Sequence, residues 1–90
     1  MVVMKLKPRL QPYGTKNICG ANIEALRKFR GMKQHVLVAQ MQLLGVDINP
    51  SSLSKLEGQQ RTATDIELKA ISEILGVTID ELVKGNFADE

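Results

Sequence analysis

The stretch NPSSLSKLEGQQR, residues 49–61, decides the fold because it opens with a clear start signal for a helix. Asn49 is a favoured N-cap residue, since its side chain can accept a hydrogen bond from an unpaired amide of the first turn. Pro50 suits the first helical position, where its missing N–H would have had no partner within the helix. The pair predicts a short helix over 50–57.

The two sides of this short helix differ in polarity. Leu53 and Leu56 are three residues apart and are predicted to face the core. Ser51, Ser52 and Lys55 are predicted to project outward, and a basic segment follows the helix. An outward side of small hydroxyl groups and one lysine suits a helix that lies against nucleic acid.

Two helices are predicted before this stretch, each with apolar residues at positions i, i+4 and i+7. The first begins at Asn17 and ends at Gly31. The second begins near Gln34 and ends at Gly45. Their buried stripes are Cys19, Ile23 and Leu26 in the first helix and Leu37, Met41 and Leu44 in the second.

Two capping boxes predict two more helices after the stretch. Thr64 with Glu67 and Thr78 with Glu81 both have the required S/T-x-x-E spacing, and a glycine closes each helix. No segment alternates apolar and polar residues for long, so no strand is predicted. The fold class is therefore expected to be all-α, with five helices.

The ninety residues are expected to form one domain with two flanking segments. Residues 1–16 contain two prolines, one glycine and four basic side chains, and are predicted to be a basic N-terminal arm. Residues 17–85 form the helical domain, and 86–90 form a C-terminal tail. For the arm, a disordered solubilising tail is favoured over contact with DNA in the minor groove.

Composition and charge narrow the function classes. Apolar residues make up 43% of the chain, which excludes a disordered protein, and the net charge is only +2. Residues 1–46 nevertheless hold eight Lys/Arg against one acid, whereas residues 47–90 hold four against nine. This asymmetry predicts an electropositive face, although unevenly solvated helices would give the same pattern.

Cysteine and histidine usage argues against metal sites, cofactors and catalysis. A lone cysteine, Cys19, excludes an internal disulfide and a Cys-based zinc cage, and His35 is the only histidine. Neither Ser51 nor Ser52 has a neighbouring general base, so no enzyme activity is expected. No signal-peptide core or membrane-span run is present, and the protein is expected to be cytoplasmic.

The order of these motifs resembles the Cro/lambda-repressor-like family, also called the XRE family. The segments that carry the resemblance are NIEALRKFRGMKQHVLVAQM, SSLSKLEGQQR and DIELKAISEILGVTIDELV, which together lie in residues 17–84. The resemblance implies a five-helix DNA-binding domain in which the second and third helices form a helix-turn-helix. It also implies an ion pair between Arg27 and Glu57 that fixes the third helix.

Three departures from the family pattern concern the DNA-reading unit. About five extra residues lie between Met41 and Ile48, so the helix-turn-helix turn is lengthened. Pro50 occupies a position that often bears a base-reading glutamine. The glycine that follows the recognition helix in the family comes one place early here, as Gly58.

The resemblance and the outward side of the third helix give the candidate DNA-binding residues. Contacts with bases are expected from Ser51, Ser52 and Lys55. Contacts with phosphates are expected from Lys33, Gln34, Asn49, Gln59, Gln60 and Arg61. The alternative role of the two serines is capping of the first turn of the helix. For Asn49, capping is the favoured role. The alternative for Lys55 is that it is exposed to solvent and contacts no base.

The expected function is sequence-specific regulation of transcription, as a repressor, with helix 50–57 in the major groove. A two-fold-related operator on double-stranded DNA and a homodimer are the expected partners. The self-association surface is predicted at Ile79, Leu82, Val83 and Phe87, which have closure of the monomer core as their alternative role. The alternative function is a protein-interaction module, such as an antitoxin or an adaptor, with the same fold.

Overall fold

Five helices form most of the fold, and a computed structural model describes residues 2–5 and 16–89 of the chain. The helices are α1 (Gly20–Phe29), α2 (Gln34–Leu43), α3 (Pro50–Glu57), α4 (Asp65–Leu75) and α5 (Ile79–Lys84). The described strands are β1 (Val2–Lys5) and β2 (Asn86–Asp89). The all-α class is confirmed in its broad form, with a small sheet added.

Local side-chain chemistry sets the starts of three helices. The Asn49 side chain accepts a hydrogen bond from the Ser52 backbone N–H at 2.8 Å, and α3 begins at Pro50, as predicted. Both predicted capping boxes are present at the starts of α4 and α5. Each of these two helices ends at a glycine in the left-handed backbone conformation, which glycine adopts without steric cost.

The start of α1 is three residues later than predicted. The Asn17 side chain accepts a hydrogen bond from the Gly20 backbone N–H at 2.6 Å, ahead of the first helical turn. Its amide nitrogen donates to the backbone carbonyls of Leu56 and Arg61, both at 2.9 Å. Asn17 therefore connects the segment before α1 to the end of α3 and does not belong to the helix.

One residue of the buried stripe predicted for α2 lies beyond the end of the helix. Leu37 and Met41 are fully buried, as predicted, whereas Leu44 is 53% exposed. The helix ends before Leu44, and the glycine that follows has a φ of +87°, which redirects the chain. Val46 and Ile48 in the turn then supply the buried side chains.

A two-stranded sheet joins segments from opposite ends of the sequence. β1 pairs with β2 in antiparallel orientation, with Val2 opposite Asp89 and Lys5 opposite Asn86. The expectation that the chain contains no strand is therefore wrong for these two segments. Each is four residues long, and their pairing is non-local, so no periodicity within either segment reveals it.

The predicted division of the chain has an arm over 1–16, a domain over 17–85 and a tail over 86–90. The sheet pairs a segment of the arm with a segment of the tail. The arm and the tail each supply one strand. Phe87 in the tail is 1% exposed and packs in the core, so this residue belongs to the folded unit. Residues 6–15, to which the alternatives for the arm mainly apply, lie outside the described residues.

One core collects apolar side chains from all five helices and β2. Its fully buried apolar members are Phe87, Ile23, Leu26, Leu37, Met41, Leu53, Leu56, Ile71, Leu75 and Leu82. Because two leucines of α3 are in this set, the opposite side of α3 is fixed toward solvent. No helix within residues 16–89 is long and apolar enough to cross a membrane.

Candidate nucleic-acid interface

The outward side of α3 is polar and carries one cation. Pro50, Ser51, Ser54 and Lys55 are exposed, and Ser52 is half-buried. The outward position predicted for Ser51 and Lys55 is confirmed, and Ser52 is only partly accessible. The only carboxylate of α3 lies at its last residue and turns away from this side.

That carboxylate, Glu57, is the centre of a buried polar cluster. Its side chain is 0% exposed and accepts hydrogen bonds from Arg27 Nε at 2.7 Å and Arg27 Nη2 at 2.9 Å. Gln34 Nε2 donates to the same carboxylate at 2.8 Å. Arg27 Nη1 donates to the Met32 carbonyl at 2.8 Å. The predicted Arg27–Glu57 ion pair is confirmed, and the cluster joins α1, α2 and α3.

The same cluster decides what the first residues of α2 can contact. Gln34, predicted to bind a phosphate, is half-buried and uses one amide N–H for Glu57. Within the described residues, the hydrogen bond of the Gln34 side chain is the one to Glu57, which involves neither its amide oxygen nor its second N–H. Lys33 is the N-cap of α2 and is exposed, so its ammonium is accessible beside the start of the helix.

Gln59, the second residue after α3, turns inward, contrary to one prediction. Gln59 is 7% exposed and donates from Nε2 to the Asn17 carbonyl at 3.1 Å. It takes the left-handed φ of +60°, whereas Gly58 before it has a φ of −81°. The structure therefore removes Gln59 from the phosphate-contacting set, because its side chain is inside the fold. Gln60, the next residue, is exposed.

Arg61 also has a structural role, because its side chain binds other residues of the fold. Its guanidinium donates to both carboxylate oxygens of Glu67, at 2.9 and 2.8 Å. It also donates from Nε to the Ser52 carbonyl at 2.9 Å and from Nη1 to the Thr62 carbonyl at 2.7 Å. Its side chain is only 24% exposed. Arg61 therefore braces α3 against the start of α4, and its charge is already neutralised by Glu67.

Glu67 has two structural roles, which its pKa reflects. Burial raises the pKa of this carboxyl, but hydrogen bonds from Arg61 and from the Thr64 backbone N–H outweigh burial, so the pKa is lowered. Thr64 N–H lies 2.9 Å from Glu67 Oε1 and forms one half of the α4 capping box. The ionised carboxylate is thus the form that the fold stabilises.

The backbones of α1 and α3 approach each other closely at Gly20. A Cβ atom there would clash with the Leu56 carbonyl oxygen and would meet the Glu57 carbonyl oxygen at 3.1 Å. No bulkier residue fits without moving one of the helices. Together with the buried cluster, this contact fixes α3 against the rest of the molecule.

Accessible lysines lie on α3, at the start of α2 and near the chain just beyond α3. Lys33 and Lys55 are exposed, and Lys16 Nζ lies 3.5 Å from the Gln60 carbonyl just beyond the helix. Lys16 was not among the sequence-predicted site residues, because nothing in its sequence context separates it from the other basic residues of the arm. Asp47, exposed two residues before the N-cap, is the acidic residue nearest to the helix start in sequence.

No cluster of three or more His, Cys, Asp or Glu side chains in the described part of the chain could hold a metal ion. Burial raises the pKa of the Cys19 thiol, which is therefore protonated at neutral pH.

Comparison with protein-family models, with curated proteins and with solved structures finds no match to this chain. The likeness to the Cro/lambda-repressor-like family stays a prediction from the quoted motifs.

Proposed function

We propose that this chain is a sequence-specific DNA-binding regulator of transcription that inserts α3 into the major groove. The exposed side of α3 carries the proposal, because it presents hydroxyl groups and Lys55 and no carboxylate. Glu57, the only acid in the helix, is buried and paired with Arg27. A polyanion that approaches this side meets no like charge from the helix itself.

The outward residues of α3 divide by the reach of their side chains. Ser51 lies in the first turn, where a short side chain permits close approach to base edges or a phosphate. Ser52 is half-buried and contributes less contact area. Lys55 lies one turn further and can extend to a guanine acceptor or to a phosphate oxygen.

Phosphate contacts are proposed at the start of α2 and just beyond the last residue of α3. Lys33 and the first backbone N–H groups of α2 form one set, in which the positive end of the helix dipole adds to the lysine charge. Gln60 and Lys16 form the other set. The second N–H of Gln34 remains a candidate donor. Asn49, Gln59 and Arg61 have structural roles instead.

The buried cluster supports readout because it fixes the direction in which α3 points. A helix that reads base edges must keep its position relative to the phosphate contacts on either side. Arg27 and Gln34 hold the end of α3 to α1 and α2 through one carboxylate. The phosphate-contacting start of α2 and the base-contacting side of α3 are thereby one rigid unit.

The test is selection of bound duplexes from a random pool, followed by titration of the enriched sequence at several salt concentrations. We expect log K to fall linearly with log salt concentration. Lys55→Ala should weaken binding by about 1–3 kcal/mol if the lysine reads a base, or reduce the salt slope by about one if it binds a phosphate. Lys84→Ala is the matched control, since Lys84 is similarly exposed on α5.

Two outcomes contradict the proposal. One is that no duplex sequence is enriched and binding is insensitive to salt. The other is that Lys55→Ala changes neither affinity nor slope relative to Lys84→Ala.

A protein-interaction module is the alternative, and one observation favours it. Leu43 is 87% exposed and Ile66 is 65% exposed, and both line depressions shared with Leu44, so they belong to one apolar surface of the kind that binds proteins. A salt-insensitive complex with a protein, together with no duplex enrichment, would support this alternative.

A further inference from the structure

The most exposed large aliphatic side chains of the described residues gather on one surface. Leu43, Leu44 and Ile66 are 87%, 53% and 65% exposed. Leu44 lines two adjoining depressions, one with Ile66 and the other with Leu43 and Ile74, of about 260 and 300 Å³. We call the surface formed by Leu43, Leu44, Ile66 and Ile74, with the charged Lys69 and Glu73, the α2–α4 patch.

The α2–α4 patch differs from the surface that the sequence predicted for self-association. Leu82 and Phe87 of that predicted surface are 0% and 1% exposed and close the monomer core. Ile79 and Val83 are each 39% exposed. The greater apolar exposure lies at the α2–α4 patch, where the exposed side chains are contiguous.

Two charges of opposite sign lie within the patch. Lys69 and Glu73 are four residues apart on α4, and both contribute to the first depression. In the described part of the chain, the two ion pairs at this spacing have the acid first: Glu24 with Lys28 and Asp80 with Lys84. Lys69 precedes Glu73, the less favourable order, and the two form no ion pair.

We propose that the α2–α4 patch binds a second copy of this chain about a two-fold axis. Such an axis between antiparallel α4 helices places Lys69 of each copy opposite Glu73 of the other, so that the Lys69–Glu73 pair forms twice across the axis. The apolar side chains on either side of the charges are then shielded from water. The inference does not depend on DNA binding, since a partner with this charge pattern is supplied by the chain itself.

The size of the patch predicts a weak dimer. A stable interface buries about 800 Å² per partner, and the apolar part of the α2–α4 patch is well below that. We therefore expect dissociation in the micromolar range or weaker, so the dimer should form and separate with concentration. Sedimentation equilibrium without DNA, from about 1 µM to about 1 mM, covers this range.

Substitution of the apolar part gives the first test. Leu43→Ser should raise the dimer dissociation constant at least about tenfold, because an exposed leucine contributes to the interface and not to the monomer core. Val83→Ser on α5 is the matched control and should leave it unchanged. Circular dichroism of both variants confirms that each is folded. A monomer at every concentration, or a dimer lost with Val83→Ser and not with Leu43→Ser, overturns the proposal.

Reversal of the charges at Lys69 and Glu73 gives a second test, whose expected result a general loss of folding stability would not produce. Lys69→Glu and Glu73→Lys should each weaken self-association, because each homodimer then has two like-charge pairs at the axis. An equimolar mixture of the two variants should form a heterodimer at least as readily as the unchanged chain dimerises, because every pair across the axis is again opposite in sign. Failure of the mixture to associate contradicts the two-fold arrangement.

Discussion

Substitution of Arg27 by methionine tests whether the buried cluster holds α3 in place. The Glu57 carboxylate is 0% exposed and the Arg27 side chain is 7% exposed, so neither charge is hydrated to any extent. In Arg27→Met, the carboxylate loses both charged donors and keeps only the neutral amide of Gln34 at 2.8 Å. A buried charge left without its partner costs about 3–5 kcal/mol.

This cost is a large part of the stability of a small domain, which is about 5–15 kcal/mol. In a domain of this size, each kcal/mol lowers Tm by roughly 4–8 °C, so Arg27→Met should lower Tm by at least about 12 °C. Urea unfolding followed by circular dichroism at low temperature measures the difference in free energy of unfolding directly. Lys84→Met removes the exposed pair with Asp80 and should cost at most about 1 kcal/mol.

A double variant keeps the test informative if Arg27→Met does not fold. Arg27→Met with Glu57→Leu removes both charges and leaves apolar side chains of comparable volume, so no buried carboxylate is stranded. We expect the double variant to be more stable than Arg27→Met alone, with a coupling free energy of about 2 kcal/mol or more. Additive costs in the double variant, or an Arg27→Met cost equal to that of Lys84→Met, would refute the reasoning.

Three further predictions concern packing, reactivity and pH. Gly20→Ala should lower the free energy of unfolding by more than about 1 kcal/mol, since its methyl group meets the Leu56 carbonyl; urea unfolding measures it. Cys19 should resist iodoacetamide at neutral pH and react fully in denaturant, as mass spectrometry would detect. Hydrogen bonds, chiefly from Arg61, lower the pKa of Glu67 on folding. The ionised Glu67 therefore contributes fully to the free energy of unfolding above about pH 4.3, and this contribution is lost as pH falls through the lower folded pKa. Glu67→Gln should therefore be less stable than the unchanged chain at neutral pH, and the gap should close on acidification.

Elements with a local cause could be predicted from the sequence. The Asn-Pro pair gave the start of α3, because an N-cap and a first-turn proline act only on neighbouring residues. The two capping boxes likewise gave the starts of α4 and α5. The Arg27–Glu57 pair joins distant positions and came from the family resemblance alone.

Features that depend on non-local pairing could not be predicted. The strands of the sheet come from opposite ends of the chain, and four residues are too few to show an alternating pattern. Gln59 and Arg61 follow α3, and a long polar side chain there can point outward or inward. Asn17 and Glu67, their partners inside the fold, decide the direction, and nothing in the spacing shows that these partners are close.

Under the proposed function, the inward direction of Arg61 limits how strongly one copy of the chain would bind DNA. Near α3, the described residues leave three accessible lysines, Lys16, Lys33 and Lys55, to neutralise phosphates. Three contacts give a slope of log K against log salt of about −3 for one copy and about −5 for two. So shallow a slope means weak binding by a single copy, which is why a self-associating patch on α2 and α4 would matter for occupancy of an operator. A slope much steeper than −5 would instead indicate that basic residues of the 1–16 arm also neutralise phosphates, whereas a slope near −3 with a dimeric protein would mean that only one copy contacts the duplex.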